Sequence, residues 1–473
     1  MHRTCHPIPP PGFFLRTLLL LLTAWFSSCH LGGSEQFVYI DPGSHGTSRG
    51  NGSAGNPYTT WDQVRMVSNT TYYIKRSTDV VLNEPTDIHK KTNITIAAYG
   101  EGKMPLLRTG KLQKPFDIIH SQKITLRGIA FSGEDKSSYC LRIMGKSSDI
   151  TIRDCHFSKA LWGIRIIGNP DAHNPKQIRI VNTTVQETGD DGIYAQYTHN
   201  LHIDSCRIQR VNQNWFRAGQ SESMASGDAI QLFNCRSFSV SHNRLDRSDT
   251  GNKFALIASQ SQNGTISNNT ILGPSTQGQG GACIYLGGGT DNIHAANNIL
   301  KGSRYGIYSH AGNIAFTKNT LVNNLTGAVF LDTRQALVIN NTFWNNATLL
   351  QGSHLEIYNN IFCSAGQKQG KAFRLKVPYN SDYNCYFPGP SEDPSDLDGP
   401  VLLSSKRDQD QHSVFANPLL AKSPQGRFLL TPSSPCIDRG TNQTERWGLP
   451  EDYCGKAVDI GASEYCPDER KRK

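Results

Sequence analysis

The sequence predicts an all-β protein: a parallel β-helix, a single-stranded solenoid with an N-terminal cap and a C-terminal extension. Three observations lead there. Related segments recur between residues 116 and 365, from ITIRDCHF, IRIVNTTV and LHIDSCRI through FSVSHNRL, GTISNNTI and IHAANNIL to IAFTKNTL, LVINNTFW and LEIYNNIF, mostly 19 to 29 residues apart. Aligned, they share a column that reads Cys155, Thr183, Cys206, Asn243, Asn269, Asn298, Asn319, Asn341, Asn360. Such a column marks an asparagine ladder, whose amides bond the backbone of the next coil at a turn. Ahead of each segment runs a strand with alternating apolar residues: Ile164, Ile193, Ile230, Phe254, Ile284 and Ile307 inward, then Ile166, Ala195, Leu232, Leu256 and Leu286 two places on. The Val, Ile, Thr and Asn content argues against helical repeats, and the fixed leucine pattern of a leucine-rich repeat is missing.

Residues 1–28 read as a signal peptide. Arg3 and Arg16 precede an apolar run from Thr17 to Phe26, which is short for a membrane span. Phe26-Ser27-Ser28-Cys29 fits two readings: a lipobox that lipidates Cys29, or plain small residues near a cleavage site. Both make the mature chain secreted, periplasmic or cell-surface, touching a membrane only through a lipid on Cys29. Twelve cysteines suit such a compartment and suggest disulfides, with Cys436, Cys454 and Cys466 near the C-terminal end and Cys363 and Cys385 just before them. Cys155 and Cys206 fall in the ladder column, where buried free thiols are expected. No CxxC pair points to zinc.

At 473 residues the chain is long for one ordinary core but not for a repeat architecture, where each unit packs on its neighbours. Its net charge of +9 favours an acidic partner. The one basic run is the terminal Arg470-Lys471-Arg472-Lys473, so nucleic acid is not expected. Residues 29–115 form the N-terminal cap and entry coils, with Thr60-Trp61 opening a short helix. Residues 116–365 are the β-helix core, and 366–473 are C-terminal coils and an exit segment. A monomer is expected.

The chemistry concentrates between Thr188 and Ser259. Asp191, Asp228 and Asn252 fall at equivalent turns of successive coils, with Asp190 and Asp249 in adjoining turns. Coils of a parallel sheet lie about 4.8 Å apart, so these oxygens crowd and a hard cation, Ca²⁺, is the natural companion. The plainer reading is an acidic row at the surface, or salt bridges to Arg210 and Arg247. Lys253 aligns with Gly163, Gly192, Ala229, Cys283 and Gly306, and is expected to project outward over a floor of small residues. A register one residue along is also admissible there. A lysine with a depressed pKa is a Brønsted base for elimination; a salt bridge from Lys253 to Asp228 is the plainer fate. Arg165, Tyr194, Gln231, Tyr285 and Tyr308 point outward beside this row, so the tyrosines form either a binding stripe or ordinary surface. The insertion VNQNWFRAGQSESMASG at 211–227 overhangs the row, with Trp215 and Arg217 suited to sugar stacking and carboxylate binding unless the loop packs on itself.

The exit segments NPLLAKSPQGRFLLTPSSPCIDRG and AVDIGASEYC resemble those of secreted right-handed parallel β-helix proteins of the pectate-lyase-like superfamily. Asp190-Asp191-Gly192 with a downstream outward lysine resembles polysaccharide lyase family 9 and related uronate lyases. The resemblance implies a right-handed helix, an acidic, uronate-containing polysaccharide as substrate, Ca²⁺ on Asp190, Asp191 and Asp228, and Lys253 as base. By position, Asp249 is expected to join the ligands, Arg217 and Tyr194 the catalytic groups, and Arg165, Gln231, Trp215, Tyr285 and Tyr308 to bind the sugar. The lysine context GNKFALI departs from that family, and Asp228 comes from an additional coil, so the polymer stays open. Three alternatives stand beside a lyase. An inverting glycoside hydrolase would use carboxylates about 6.5–9.5 Å apart. A uronate C5-epimerase shares the proton abstraction, and a carbohydrate-binding β-helix needs no catalysis.

Overall fold

The computed structural model describes residues 35–43, 50–110, 112–134, 137–170, 174–213, 227–248, 254–274, 281–364, 372–387, 409–442, 445, 448 and 453–467. The chain divides into two units, Met1–Gln36 and Phe37–Lys473. The second is a parallel β-solenoid. Its strands stack into three sheets of fourteen, thirteen and twelve strands, here called the long, short and front faces. One coil takes Ile193–Gln196 on the front face, His199–Asp204 on the long face and Arg207–Gln209 on the short face. The next takes Ile230–Phe233, Arg236–Ser241 and Arg244–Asp246. Among the described residues no helix is long and apolar enough to cross a membrane.

Alternation builds the interior. Ile164, Ile193, Ile230, Leu256, Ile284 and Ile307 stand in register on the front face, and every one is fully buried. The fourth member differs from the expected Phe254. The coil at 254–259 pairs two residues further along, so Ala258 rather than Leu256 follows Leu232 in the second inward column.

The ladder column forms as expected. The backbone N–H groups of Cys206, Asn243, Asn269, Asn298, Asn319, Asn341 and Asn360 each donate to the Oδ1 of the next rung at 2.8–3.0 Å, ending on Asn384. Each amide nitrogen from Asn243 to Asn360 donates back to a strand carbonyl of the preceding coil at 2.8–2.9 Å. The residue before each rung, from Asp154 to Asn359, sits in the left-handed region with φ between 46° and 57°. That conformation costs a non-glycine residue about 1–2 kcal/mol. Two hydrogen bonds per rung, each about 0.5–1.5 kcal/mol net, offset it, and losing them would leave buried polar groups unmet. Cys155 and Cys206 are buried free thiols, pushed up to about 11 and about 12 by burial.

At the N-terminal end Trp61–Gln63 form the short helix expected after Thr60, and the buried Trp61 indole donates to Thr86 Oγ1 at 2.8 Å. At the other end, Cys385–Phe387 and the bridge to Val414 close the parallel stacking. The chain then makes an antiparallel hairpin, Leu420–Lys422 with Phe428–Leu430. A strap follows that returns to the last coils, where Asn359 Nδ2 donates to Thr441 O and Asn340 Nδ2 to Asp459 O, both at 3.0 Å. Cys454 and Cys466 form a disulfide within it.

Candidate active site

The outward positions of the front face make a column that crosses the coils in register: Asp117, Arg142, Arg165, Tyr194, Gln231, Ile257, Tyr285, Tyr308. Its character changes along the axis. Arg142 is held by Asp117, which accepts from both Nε and the terminal nitrogen. Arg165, one coil on, is held differently. Its guanidinium carbon lies 4.4 Å from the Trp162 ring centroid and 5.9 Å from that of Tyr194. Its buried Nε has no hydrogen-bond partner among the described residues. Two aromatic faces thus position the cation, and a guanidinium is a group that pairs with carboxylates.

Beyond Gln231 the column turns aromatic. Phe254 stacks on Tyr285 at 4.4 Å, and Tyr285 on Tyr308 at 5.9 Å with an interplanar angle of 11°. His310 closes the row, 5.3 Å from Tyr308, with Nδ1 2.8 Å from Asp332 Oδ2.

The corner that feeds this face corrects one expectation. Gly163, Gly192, Ala229, Ala255, Cys283 and Gly306 occupy one column and are all buried. A Cβ added at Gly163 would stand 2.4 Å from Val185 Cγ1, and one at Gly192 2.6 Å from Ile208 Cγ2. These small residues therefore face the interior, where the chain turns tightly against the short face, and are no floor beneath a ligand. Ala255, not Lys253, belongs to the column. Phe254 in turn takes the place expected of Asn252 on the line of Asp191 and Asp228. Lys253 itself lies outside the described residues, as do Arg217, Trp215 and Asp249.

The aspartates are brought together, and they are buried. Asp191 is 2% exposed and Asp228 3%, while Asp190 is half-buried. Each buried carboxylate accepts from the next coil: Asp191 Oδ1 from the Asp228 N–H at 2.7 Å, Asp228 Oδ1 from the Phe254 N–H at 3.0 Å. The pair is a ladder like the asparagine one, built from acids. Burial pushes the Asp191 carboxyl well above its ordinary range, and the charges of Asp190 and Asp228 push it further; the Asp228 N–H and the Trp162 side chain pull it back. Tyr194 is raised as well, by burial and then by the charge of Asp191, so its phenol stays protonated. Its hydroxyl donates to Gln196 Oε1 at 3.0 Å. Of the salt bridges considered for the acidic row, Arg210 instead pairs with Glu187 at 2.8 Å; Arg247 is fully buried.

Among the described residues no group of three or more acidic, histidine or cysteine side chains is arranged to hold a metal by itself. The repulsion that raises Asp191 is nonetheless what a hard cation relieves, and all three neighbours offer the oxygen donors such an ion takes.

Sequence reasoning missed four contributors. Trp162 orients both Arg165 and Asp191, Phe254 extends the aromatic row, and His310 with Asp332 ends it. A signal for Phe254 was present: each front strand opens with a small residue and then a branched one, as in Gly192-Ile193 and Ala229-Ile230, and Ala255-Leu256 continues that pattern. A separate groove of about 460 Å³ lies on the long face, lined by residues including Asn263, Thr265, Asn292 and His294. Burial lowers the His294 pKa, and its Nε2 is bonded to Thr317 Oγ1 at 3.0 Å. No carboxylate lines that groove.

A family model described as a right handed beta helix region matches residues 117–278 and 254–372. No curated protein matches the chain by sequence. Among solved structures the chain is similar to pectate lyase Pel9A, at 15% identity and a TM-score of 0.43, over 91% of this chain and 96% of that one. It is also similar to the A-module of the Azotobacter vinelandii mannuronan C-5 epimerase AlgE4, at 12% identity and a TM-score of 0.46, over 65% of this chain and 89% of that one. A third is the native GH136 lacto-N-biosidase from Eubacterium ramulus, at 11% identity and 0.42, over 72% and 68%. Likeness at this level assigns neither a reaction nor a residue.

Proposed function

The chain belongs to the right-handed β-helix family, and on that premise we propose that it is an exported monomeric lyase that cleaves an acidic, uronate-containing polysaccharide by β-elimination on the front face. Arg165 carries the reading: a cation fixed between two aromatic rings, its buried Nε without a hydrogen-bond partner among the described residues, beside a buried acidic ladder. The sugar chain would lie along the solenoid axis. Its rings would pass over the edges of Tyr285 and Tyr308, and Gln231, two coils nearer Arg165, would hydrogen-bond a hydroxyl.

Elimination makes three demands. The uronate carboxylate must be neutralised, the C5 proton removed, and the leaving oxygen at C4 protonated as the C4–O bond breaks and the C4–C5 double bond forms. Arg165 would meet the first, joined by Arg217. Lys253 would take the proton in its neutral form, which a cation bound nearby would favour. The Tyr194 phenol, whose pKa burial raises, would give its proton to the leaving oxygen. Asp190, Asp191, Asp228 and Asp249 would hold Ca²⁺, which supplies further charge neutralisation when bound. Trp215 would cover the sugar from the insertion.

The test is absorbance of unsaturated uronate, read with the purified protein against a panel of acidic polysaccharides. Saturated products would overturn the lyase reading in favour of a hydrolase. That second reading draws on Asp191, whose carboxyl is pushed up by burial, Asp190 and Asp228, next to an acid on the adjoining coil, the pairing a general acid and its partner require.

A further inference from the structure

The long face is a different sheet from the one that carries the candidate active site, and its outward side chains also form columns along the axis. On three successive coils one column reads Lys176, His199, Arg236 and its neighbour Arg179, His202, Ser239. Lys176, Arg179 and Arg236 are exposed, and none of them has an ion-pair partner among the described residues. His199 and His202 stand exposed between them. The strands Lys176–Val181, His199–Asp204 and Arg236–Ser241 carry a single carboxylate, Asp204, which is already bonded to Ser241 Oγ at 2.7 Å and His242 Nδ1 at 2.9 Å.

The next coil continues both columns into the groove of about 460 Å³: Arg236 is followed by Gln262, and Ser239 by Thr265. The side-chain amides of Asn263, Asn292, Asn313 and Gln335 line the groove together with Ala315 and Leu337. Asp291, on a strand beside it, is paired with Arg334 at 2.7 Å. The face therefore presents uncompensated cations at one end and amides at the other, on one continuous track.

We propose that this track is a second binding site for acidic polysaccharide, with uronate carboxylates on Lys176, Arg179 and Arg236 and sugar hydroxyls in the amide-lined groove. The site shares the polymer class with the front-face proposal but requires no turnover. Lys and Arg form charge-assisted bonds to carboxylates, and amides both donate to and accept from hydroxyls. Lys176 and Arg236 stand two coils apart, roughly 10 Å, a span comparable to a disaccharide. A polymer bearing a carboxylate and hydroxyls on each sugar can satisfy both ends of the track at once. Neither column offers a Phe, Tyr or Trp on these coils for bases to stack on, which disfavours single-stranded nucleic acid.

The experiment is calorimetric titration of the full-length protein with polygalacturonate and with polymannuronate, in chelator and at low ionic strength. Dextran, single-stranded DNA and vesicles of equal parts phosphatidylglycerol and phosphatidylcholine are the comparison ligands. The parent should bind at least one polyuronate more tightly than any of these. The triple variant Lys176→Ala, Arg179→Ala, Arg236→Ala should bind it roughly 3- to 100-fold more weakly, the combined worth of three exposed charge pairs. Thr265→Asp, which puts a negative charge in the groove, should weaken it about 2- to 5-fold. All of these positions are surface ones, and urea midpoints should match the parent. Absence of binding to both polyuronates, parent-like affinity in either variant, or equal or tighter binding of a comparison ligand overturns the proposal. So does a loss confined to Arg165→Ala, which would place the polymer on the front face alone. A failure of the elimination reading leaves this binding result as it is, because chelated binding is read without product.

Discussion

Two columns of buried polar side chains climb this solenoid, and they do the same geometric job with different chemistry. In the asparagine ladder each Oδ1 accepts the N–H of the next rung, and each Nδ2 donates to the coil behind. In the acidic corner Asp191 and Asp228 accept the N–H of the next coil in the same way. An amide satisfies both directions and carries no charge. A carboxylate can only accept, and stacking two of them at coil spacing adds repulsion that burial magnifies. The first column therefore closes on itself and stabilises; the second holds stored repulsion and so has a reason to receive a proton, a cation or a positively charged partner. The difference separates scaffold from chemistry within one repeat.

The comparison can be broken at its strongest point first. If the acidic corner and its neighbours perform elimination, Lys253→Ala should lower turnover on the polymer by a factor on the order of 10²–10⁴, as for loss of a general base. Lys253→Arg should be nearly as inactive, because guanidinium stays protonated. Both variants should unfold at the same urea concentration as the parent. Near-normal turnover in Lys253→Ala would remove the lysine from the mechanism.

On the scaffold side, Asn298→Ala strips the rung that serves the Asn269 N–H and the Ile266 carbonyl. Leaving those buried groups unmet should cost on the order of 3 kcal/mol in urea unfolding. Asp191→Asn keeps the accepting Oδ1 and removes the charge, so it should fold at least as stably at neutral pH while losing activity and calcium uptake by calorimetry. A matching loss of stability in Asp191→Asn would make the two columns equivalent.

The pH dependence sharpens the contrast. The folded Asp191 carboxyl is raised above its ordinary value by burial and then by Asp190 and Asp228. Protonation is therefore favoured in the folded state, and its contribution to stability is complete below the ordinary carboxylate value of about 4 and lost as pH rises through the folded value. Urea midpoints of chelated protein should fall over that window in the parent and fall less in Asp191→Asn. Asp410 and Asp459 are raised by burial too, but they remain in both proteins and cancel in the difference. The smallest effect is expected in the aromatic row: Tyr308→Ala should raise KM by about 3- to 10-fold, the worth of one aromatic contact, with kcat unchanged.

The ladder was legible in the sequence because its cause is local. A left-handed residue, a tight turn and an amide recur in every coil, and the recurrence survives irregular spacing. The same locality made Arg165, Tyr194, Gln231, Tyr285 and Tyr308 readable as outward residues, and Asp191 and Asp228 as neighbours on successive coils. The register at 254–259 was not local. A one-residue slip would turn apolar residues outward and so betray itself, but a two-residue slip preserves the alternation of the strand. Alternation alone is satisfied by either placement of Phe254-Ala255-Leu256, and only the small-then-branched pair Ala255-Leu256 favours the observed one. Packing decides between them: the corner has room for Ala255 beside Ala229 and Cys283, while Phe254 is drawn out against Tyr285. The clamp on Arg165 and the burial of the aspartates are likewise tertiary facts, since each depends on residues one coil away. Sequence by itself determined the coil, its ladder and the sign of its net charge; the packed structure alone decided which carboxylates are desolvated and which cation is clamped between aromatic rings, because both depend on how neighbouring coils pack.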